Sequence, residues 1–142
     1  MIEILEVRKG AQMLDIFEIR RQVFVIEQGV NPEEEYDEFE DSCTHFLAKY
    51  TGIAAGTCRI RQTQNGIKLE RFAVLKAYRE KGIGAALVEK CLEKIGAVDT
   101  LIYLHAQLHA VPFYKKLGFE TIGPQFEEAG IQHFKMHYNP NA

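Results

Sequence analysis

The 142-residue sequence has no tryptophan, four prolines and three cysteines, and no apolar run near the ~20 residues that a membrane-spanning helix requires. Each shortage excludes something. Cys43, Cys58 and Cys91 are odd in number, far apart and without a Cys-x-x-Cys pair, which argues against a disulfide framework or a thiolate zinc site and leaves reduced thiols. With no Pro- or Gly-rich linker, no repeat and no break in composition, one domain over residues 1–142 is expected. The opening residues Met1-Ile2-Glu3-Ile4-Leu5-Glu6 carry acid where a secretory leader would place basic residues, so a cytoplasmic protein is expected.

Net charge is also scarce. The 17 Lys and Arg against 20 Asp and Glu leave −3, which offers no global attraction for nucleic acid or an anionic membrane. The average hides an uneven distribution. Glu33, Glu34, Glu35, Asp37, Glu38, Glu40 and Asp41 crowd residues 33–41, and setting those seven charges aside leaves +4 on the remaining chain. His105/His109 and His133/His137 are spaced by four, which suits a metal only if both members share a helix face. The elements read below put neither pair on one helix face, and no metal is expected.

What is plentiful is patterned hydrophobicity, 46% of the chain. Residues 1–7 alternate as a short strand ended by Lys9-Gly10. Met13, Leu14, Ile16, Phe17, Ile19, Val23, Phe24 and Ile26 fall near helical spacing until Gly29 and Pro32 stop the helix. The acidic stretch follows as a loop or short helical turn. Residues 44–50, 53–63 and 67–75 read as strands, the last two joined through Gln64-Asn65-Gly66, since Asn-Gly tolerates the positive φ of a tight hairpin. Residues 82–96 form a helix with one apolar face, and 100–106 an apolar central strand. A second C-terminal helix spans 109–117, with Pro112 in its first turn and Gly118 past its end. Strands at 119–123 and 131–138 close the chain around a turn at 127–130. The order predicts an α/β fold with one central mixed β-sheet and helices on both faces.

The most informative segment runs from Leu69-Glu70-Arg71-Phe72-Ala73-Val74-Leu75 into Arg79-Glu80-Lys81-Gly82-Ile83-Gly84. A strand that turns through two glycines into a helix, with Arg79 and Lys81 beside it, gathers unpaired backbone N–H groups and positive charge in one concavity that suits phosphate. Glycines at a helix start also serve plain turn geometry and close packing. A nucleoside-triphosphate P-loop needs Lys-Ser/Thr after its last glycine, where Ala85-Ala86 stand, and the dinucleotide fingerprint needs Gly or Ala at position 87, which is Leu.

Arg79 to Gly84 resembles the Arg/Gln-x-x-Gly-x-Gly/Ala loop of the GCN5-related N-acetyltransferases (GNAT). Ala110-Val111-Pro112-Phe113-Tyr114-Lys115-Lys116-Leu117-Gly118-Phe119 is similar to that family's second motif. Val23-Phe24-Val25-Ile26-Glu27-Gln28 with the acidic loop after it, Ala106-Gln107, and Gly130-Ile131-Gln132-His133-Phe134-Lys135-Met136 resemble its small bacterial ElaA/YjcF-like branch. The resemblance covers the whole chain. Many members have Asn where Gln107 stands; this branch has Gln.

The resemblance implies an acetyl-CoA-dependent N-acetyltransferase acting on a primary amine of a small molecule or protein, by direct attack in a ternary complex. The strand bearing Phe72, Ala73 and Val74 would splay from the strand at 100–106 and offer backbone groups of Phe72 and Val74 to the pantetheine amides. Arg79, Lys81, Gly82, Ile83, Gly84 and Ala85 would hold the pyrophosphate, with Gln107 and Phe113 also on the cofactor. Tyr114 aligns with the family's general acid, against a simpler role as a core aromatic, and the Val74 N–H with the donor to the thioester carbonyl.

A base is less clearly marked. Glu70 falls on the side of Phe72 and Val74 by alternation, against a salt bridge to Arg59 or Arg61; His105 lies near the end of its strand, against a structural hydrogen-bonded role. Glu27 and His133 are candidates for the acceptor side, against local pairing. The acidic segment reads either as a rim that attracts a cationic acceptor or as a solvated loop. A different class of function, a catalytically weak acyl-CoA-binding or regulatory module, keeps the loop and lacks the base.

Overall fold

The computed structural model describes residues 1–37 and 39–140; Glu38 of the acidic segment lies outside the described residues. Seven strands form one sheet: β1 (Ile2–Val7), β2 (Thr44–Tyr50), β3 (Ile53–Thr63), β4 (Gly66–Val74), β5 (Ile102–Gln107), β6 (Phe119–Glu128) and β7 (Ile131–Tyr138). Their spatial order is β1-β2-β3-β4-β5-β7-β6, antiparallel throughout except for the parallel pair β4–β5 at its centre. This is the expected mixed sheet.

Helices cover both faces. α1 (Ala11–Arg20) buries Met13, Ile16 and Ile19 beside Val7, Leu47 and Ala73. α2 (Pro32–Glu35) is a single turn capped by Asn31, whose Oδ1 accepts from the Glu33 N–H at 2.9 Å. On the opposite face, α3 (Ile83–Ile95) sets Ile83, Leu87, Val88 and Cys91 on one helical stripe, and α4 (Val111–Lys116) adds Tyr114 to the same core of Phe46, Cys58, Leu69, Leu104 and Met136. Cys58 and Cys91 meet there with Sγ atoms 3.5 Å apart.

Three local departures from the expected pattern shape the site. The helix expected to run regularly to Gly29 is α-helical only to Arg20 and then π-wound over Arg21–Glu27, with the Gln28 N–H bonded to the Val23 carbonyl at 3.0 Å. The run Val23-Phe24-Val25-Ile26 crowds an α-helix with β-branched and aromatic side chains, and the wider winding relieves it. The strand expected at 119–123 extends to Glu128 through a register break between Ile122 and Phe126, and Pro124 is tolerated because β6 is the sheet edge.

The third departure is in β4. Arg71 has φ +57, and the β3–β4 register jumps from Arg59↔Glu70 to Thr57↔Ala73. This bulge resets the alternation. Leu69 and Phe72, three residues apart, both face α3, while Glu70 faces α1. The expectation that Glu70 shares a side with Phe72 and Val74 is therefore overturned.

Candidate active site

β4 and β5 pair only at Ile67↔Ile102 and Lys68↔Tyr103. Beyond that point they diverge, and a cleft of about 960 Å³ opens between them. Its lining gathers Glu27, Glu70, Phe72, Ala73, Val74, Arg79, His105, Gln107, Tyr114 and His133, residues scattered over more than a hundred positions of sequence. Lys81, Gly82, Ile83, Gly84, Ala85 and Phe113 are not in that lining.

The strand edge is left unpaired by the divergence. The Leu75 N–H bonds the Ala55 carbonyl of β3 at 2.9 Å, so alternation turns the Val74 N–H toward the gap. The Val74 carbonyl, expected free, accepts from Arg79 Nε at 3.0 Å.

The glycine loop enters α3 through Gly82, a left-handed residue at φ +85. The first helical bond runs from the Ala86 N–H to the Gly82 carbonyl, so the N–H groups of Ile83, Gly84 and Ala85 have no helical acceptor. Gly84 lies under the ring of Phe113, where a Cβ would stand 3.1 Å from Cζ. The Ile83 side chain is core, so only its backbone is available to a ligand. Lys81 Nζ sits over the Tyr50 ring at 5.4 Å.

Two side-chain links close the top of the gap. Arg79 forms a two-pronged ion pair with Glu27 (2.6 Å at each prong), and the amides of Gln28 and Gln107 bond reciprocally (3.0 and 3.3 Å). The neighbours Glu27 and Gln28 thus reach to the β4 side and the β5 side respectively, a consequence of the π-winding that ends there. Glu27, expected on the acceptor side, is held by the glycine loop's own arginine.

Tyr114 lies beneath the gap, buried edge-on against Phe72 (5.9 Å), Phe113 (5.0 Å) and Phe119 (6.0 Å). Its hydroxyl makes no hydrogen bond to a described residue. Burial pushes the phenol well above its ordinary range, which keeps it protonated.

On the α1 side the sheet carries a buried ionic cluster, of which the sequence offered only the bridge from Glu70 to Arg59 or Arg61. Arg20 and Arg59, each about 1% exposed, take both oxygens of Glu40 and of Asp37 respectively: Arg20 meets Glu40 at 2.8 Å twice, and Arg59 meets Asp37 at 2.6 and 3.0 Å. Arg20 also binds Glu35, and Arg59 also binds Glu40 at 2.9 Å and Glu70 at 2.7 Å. Arg71 meets Asp37 at 3.2 Å; Arg61 (2.9 Å) and Lys68 (3.2 Å) complete the shell of Glu70. His45 Nε2–H donates to the Glu40 carbonyl at 2.7 Å, pinning the segment further.

Two expectations change as a result. The acidic segment is only in part a solvated loop, since Glu35, Asp37 and Glu40 serve as counter-charges to buried arginines. As a cation-attracting rim it keeps the exposed Glu33, Glu34 and Asp41, of which Glu34 lines the cleft. Glu70 makes the salt bridges that stood as the alternative to its role as base. Burial raises its carboxyl, but the hydrogen bond from Arg61 and the charges of Arg59 and Lys68 outweigh that and hold it at about 2, where it has little tendency to take a proton.

His105 faces the cleft from β5 with Nδ1 3.0 Å from Glu128 Oε2. His133 is buried, its Nδ1 bonded to the Ile131 carbonyl at 2.7 Å and its ring stacked on Phe126. Among the described residues, no three of His, Cys, Asp and Glu converge as a metal site, and no helix is long and apolar enough to cross a membrane.

A splayed parallel pair, a glycine turn opening a helix and an aromatic helix below the gap are the structural counterparts of both motifs. The family model for the acetyltransferase (GNAT) domain matches residues 10–140. The chain belongs to the GNAT family. Among its relatives is YjcF of Bacillus subtilis strain 168, named an uncharacterized N-acetyltransferase, 41% identical over 128 residues that cover 88% of this chain and 91% of that one. The crystal structure of Escherichia coli ElaA superposes with a TM-score of 0.85 at 27% identity, over 98% of this chain and 100% of that one. An aminoglycoside 6'-N-acetyltransferase complexed with coenzyme A shares the fold at a TM-score of 0.71 and 15% identity, covering 99% and 98%. Acetyl transfer is thus the chemistry of this GNAT protein's family, and the ElaA/YjcF-like branch is where its relatives lie.

Proposed function

We propose that the protein transfers the acetyl group of acetyl-CoA directly to a primary amine of a small molecule or protein in a ternary complex, the whole chain acting as one N-acetyltransferase domain. The single observation that carries this is the β4–β5 gap with the Val74 N–H turned into it and an unpaired, protonated Tyr114 hydroxyl on its lining. The residues fit the donor. The edge of β4 at Phe72 and the Val74 N–H suits pantetheine amides as a missing strand would, and the N–H groups of residues 83–85, without a helical acceptor, suit a pyrophosphate together with Lys81 and Arg79.

In this reading the Val74 N–H stabilises the oxyanion as the amine nitrogen attacks the thioester carbon. His105 takes the proton lost by the amine. Tyr114 gives its proton to the departing CoA thiolate. With Glu70 excluded by its three cationic partners, His105 is the base that faces the opened cleft.

The test is thiol release from acetyl-CoA across a panel of amino acids, polyamines, aminosugars and a lysine peptide. Turnover is expected, with Tyr114→Phe lowering kcat about 100-fold at unchanged acetyl-CoA affinity. Tight acetyl-CoA binding with no amine acetylated would assign the binding-module alternative instead.

The Arg79–Glu27 pair adds a second expectation. Both side chains are more than a third exposed, so the pair is weak enough for a pyrophosphate to displace. Glu27→Gln frees Arg79 beforehand, and coenzyme A should bind about 3-fold tighter by isothermal titration, in line with an exposed pair of a few tenths to one kcal/mol. Unchanged or weaker binding would show that Arg79 does not change partners.

A further inference from the structure

The parallel register that ends at Lys68↔Tyr103 places Glu70 and His105 across from each other as the first polar pair on the α1 side of the gap. Glu70 is bound by three cations. His105 is bound by one carboxylate, and that carboxylate arrives from a distant hairpin. The register break between Ile122 and Phe126, at the positive-φ Gly123, swings the end of β6 inward. Phe126 then meets the His105 ring edge-on at 5.0 Å and stacks on His133 at 5.8 Å, while Glu128, last residue of β6, reaches His105 Nδ1.

The chemistry of this pair follows from what each atom is able to do. An ionised carboxylate only accepts, so the hydrogen between Nδ1 and Glu128 belongs to the imidazole, and in the neutral ring Nε2 then carries the lone pair. The hydrogen bond from His105 holds Glu128 below the usual carboxylate range, with Lys68 and His133 contributing. Nε2 has no hydrogen-bond partner among the described residues. The other charged or titratable groups around the pair are Glu70 and Lys68 on β4, Tyr103 on β5, and Lys135 and His133 on β7, with Lys135 Nζ lying over the Tyr103 ring at 4.9 Å.

We infer that Glu128 is a positioning residue for the transfer reaction: it fixes His105 as the Nδ1–H tautomer, clamped by Phe126, so that Nε2 faces the cleft and accepts the proton of the attacking amine. This rests on the acetyl-transfer reading above and assigns a role to a residue outside both family motifs. The proton balance is complete without another group. His105 gains the amine proton, Tyr114 loses one to the thiolate, and solvent restores both.

Glu128→Gln keeps size and, with Glu128 about 45% exposed, should keep the fold. Long-range proton–nitrogen NMR is expected to show His105 as the Nδ1–H tautomer in the wild type and a mixture in Glu128→Gln. Thiol release with the amine panel should show kcat lowered about 10-fold in Glu128→Gln with the acetyl-CoA KM unchanged, and a smaller loss in Glu128→Asp. A structural salt bridge alone would lower the melting temperature and leave tautomer and kcat as they are, which would overturn the inference. So would an Nε2–H tautomer in the wild type. Wild-type protein that binds no acetyl-CoA, or acetylates no amine, overturns the acetyl-transfer reading and this inference together; wild-type turnover matched by Glu128→Gln overturns the inference alone.

Discussion

Replacing Arg59 with alanine is expected to destabilise the protein by about 3–5 kcal/mol, the range for breaking a buried ion pair by removing one partner. Arg59 is almost wholly buried and binds Asp37, Glu40 and Glu70 at once, so its loss leaves three carboxylates facing each other with less compensation. Arg59→Lys should be intermediate, since an ammonium lacks the planar fork that engages Asp37 at two atoms. Urea denaturation checks this, and a change below about 1 kcal/mol would sink the claim that this cluster anchors residues 33–41 to the sheet.

The same cluster sets an acid limit. Burial raises Asp37, but the Arg59 hydrogen bonds and charge hold it at about 2, as the cations around Glu70 hold that group at about 2. Both folded-state values lie below the ordinary carboxylate range near pH 4. The stability they contribute is therefore full above about pH 4 and lost as pH falls toward 2. Wild-type stability should fall steeply across that window, and Arg59→Ala, having already lost the pairing, should show a flatter profile.

The second large effect concerns the cofactor loop. Gly82→Val is expected to weaken coenzyme A binding by more than about 100-fold while far-ultraviolet circular dichroism stays unchanged. The cause is backbone strain and not crowding. A Cβ at Gly82 would meet only Ile2 Cδ1, at 3.9 Å, but φ +85 is barely open to a β-branched residue. The turn would have to rearrange, moving the free N–H groups of residues 83–85. The fold should survive because Ile83, Leu87, Val88 and Cys91 anchor α3 independently. Isothermal titration showing wild-type affinity would remove the loop from the cofactor site.

Much of the candidate site was legible because it is built from local geometry. A glycine turn into a helix and an aromatic pair inside a short helix are contiguous strings, so Gly82, Gly84, Phe113 and Tyr114 stand out in the chain. What was not legible depends on displacement by a single residue. Alternation put Glu70 beside Phe72, and one bulge at Arg71 moved it to the other face of the sheet. Glu128 carried no signal at all: it reads as a turn residue 23 positions from His105, and only the register break between Ile122 and Phe126 makes them partners. Arg20, on the buried face of an otherwise apolar helix stripe, resembles an ordinary helix arginine until its carboxylates are known.

The scarcity of net charge divides along the same line. The sequence by itself determined the fold class through periodicity and, through two motifs that resemble those of the GNAT family in that family's order, pointed to the family and to a candidate phosphate loop, since these are properties of neighbouring residues. Only the tertiary structure decided what the charges do. Glu35, Asp37 and Glu40 are drawn inward because two arginines, buried by the packing of α1 and β3 on the sheet, must be neutralised there; a burial cost of that kind is set by which elements meet, and no linear pattern records it.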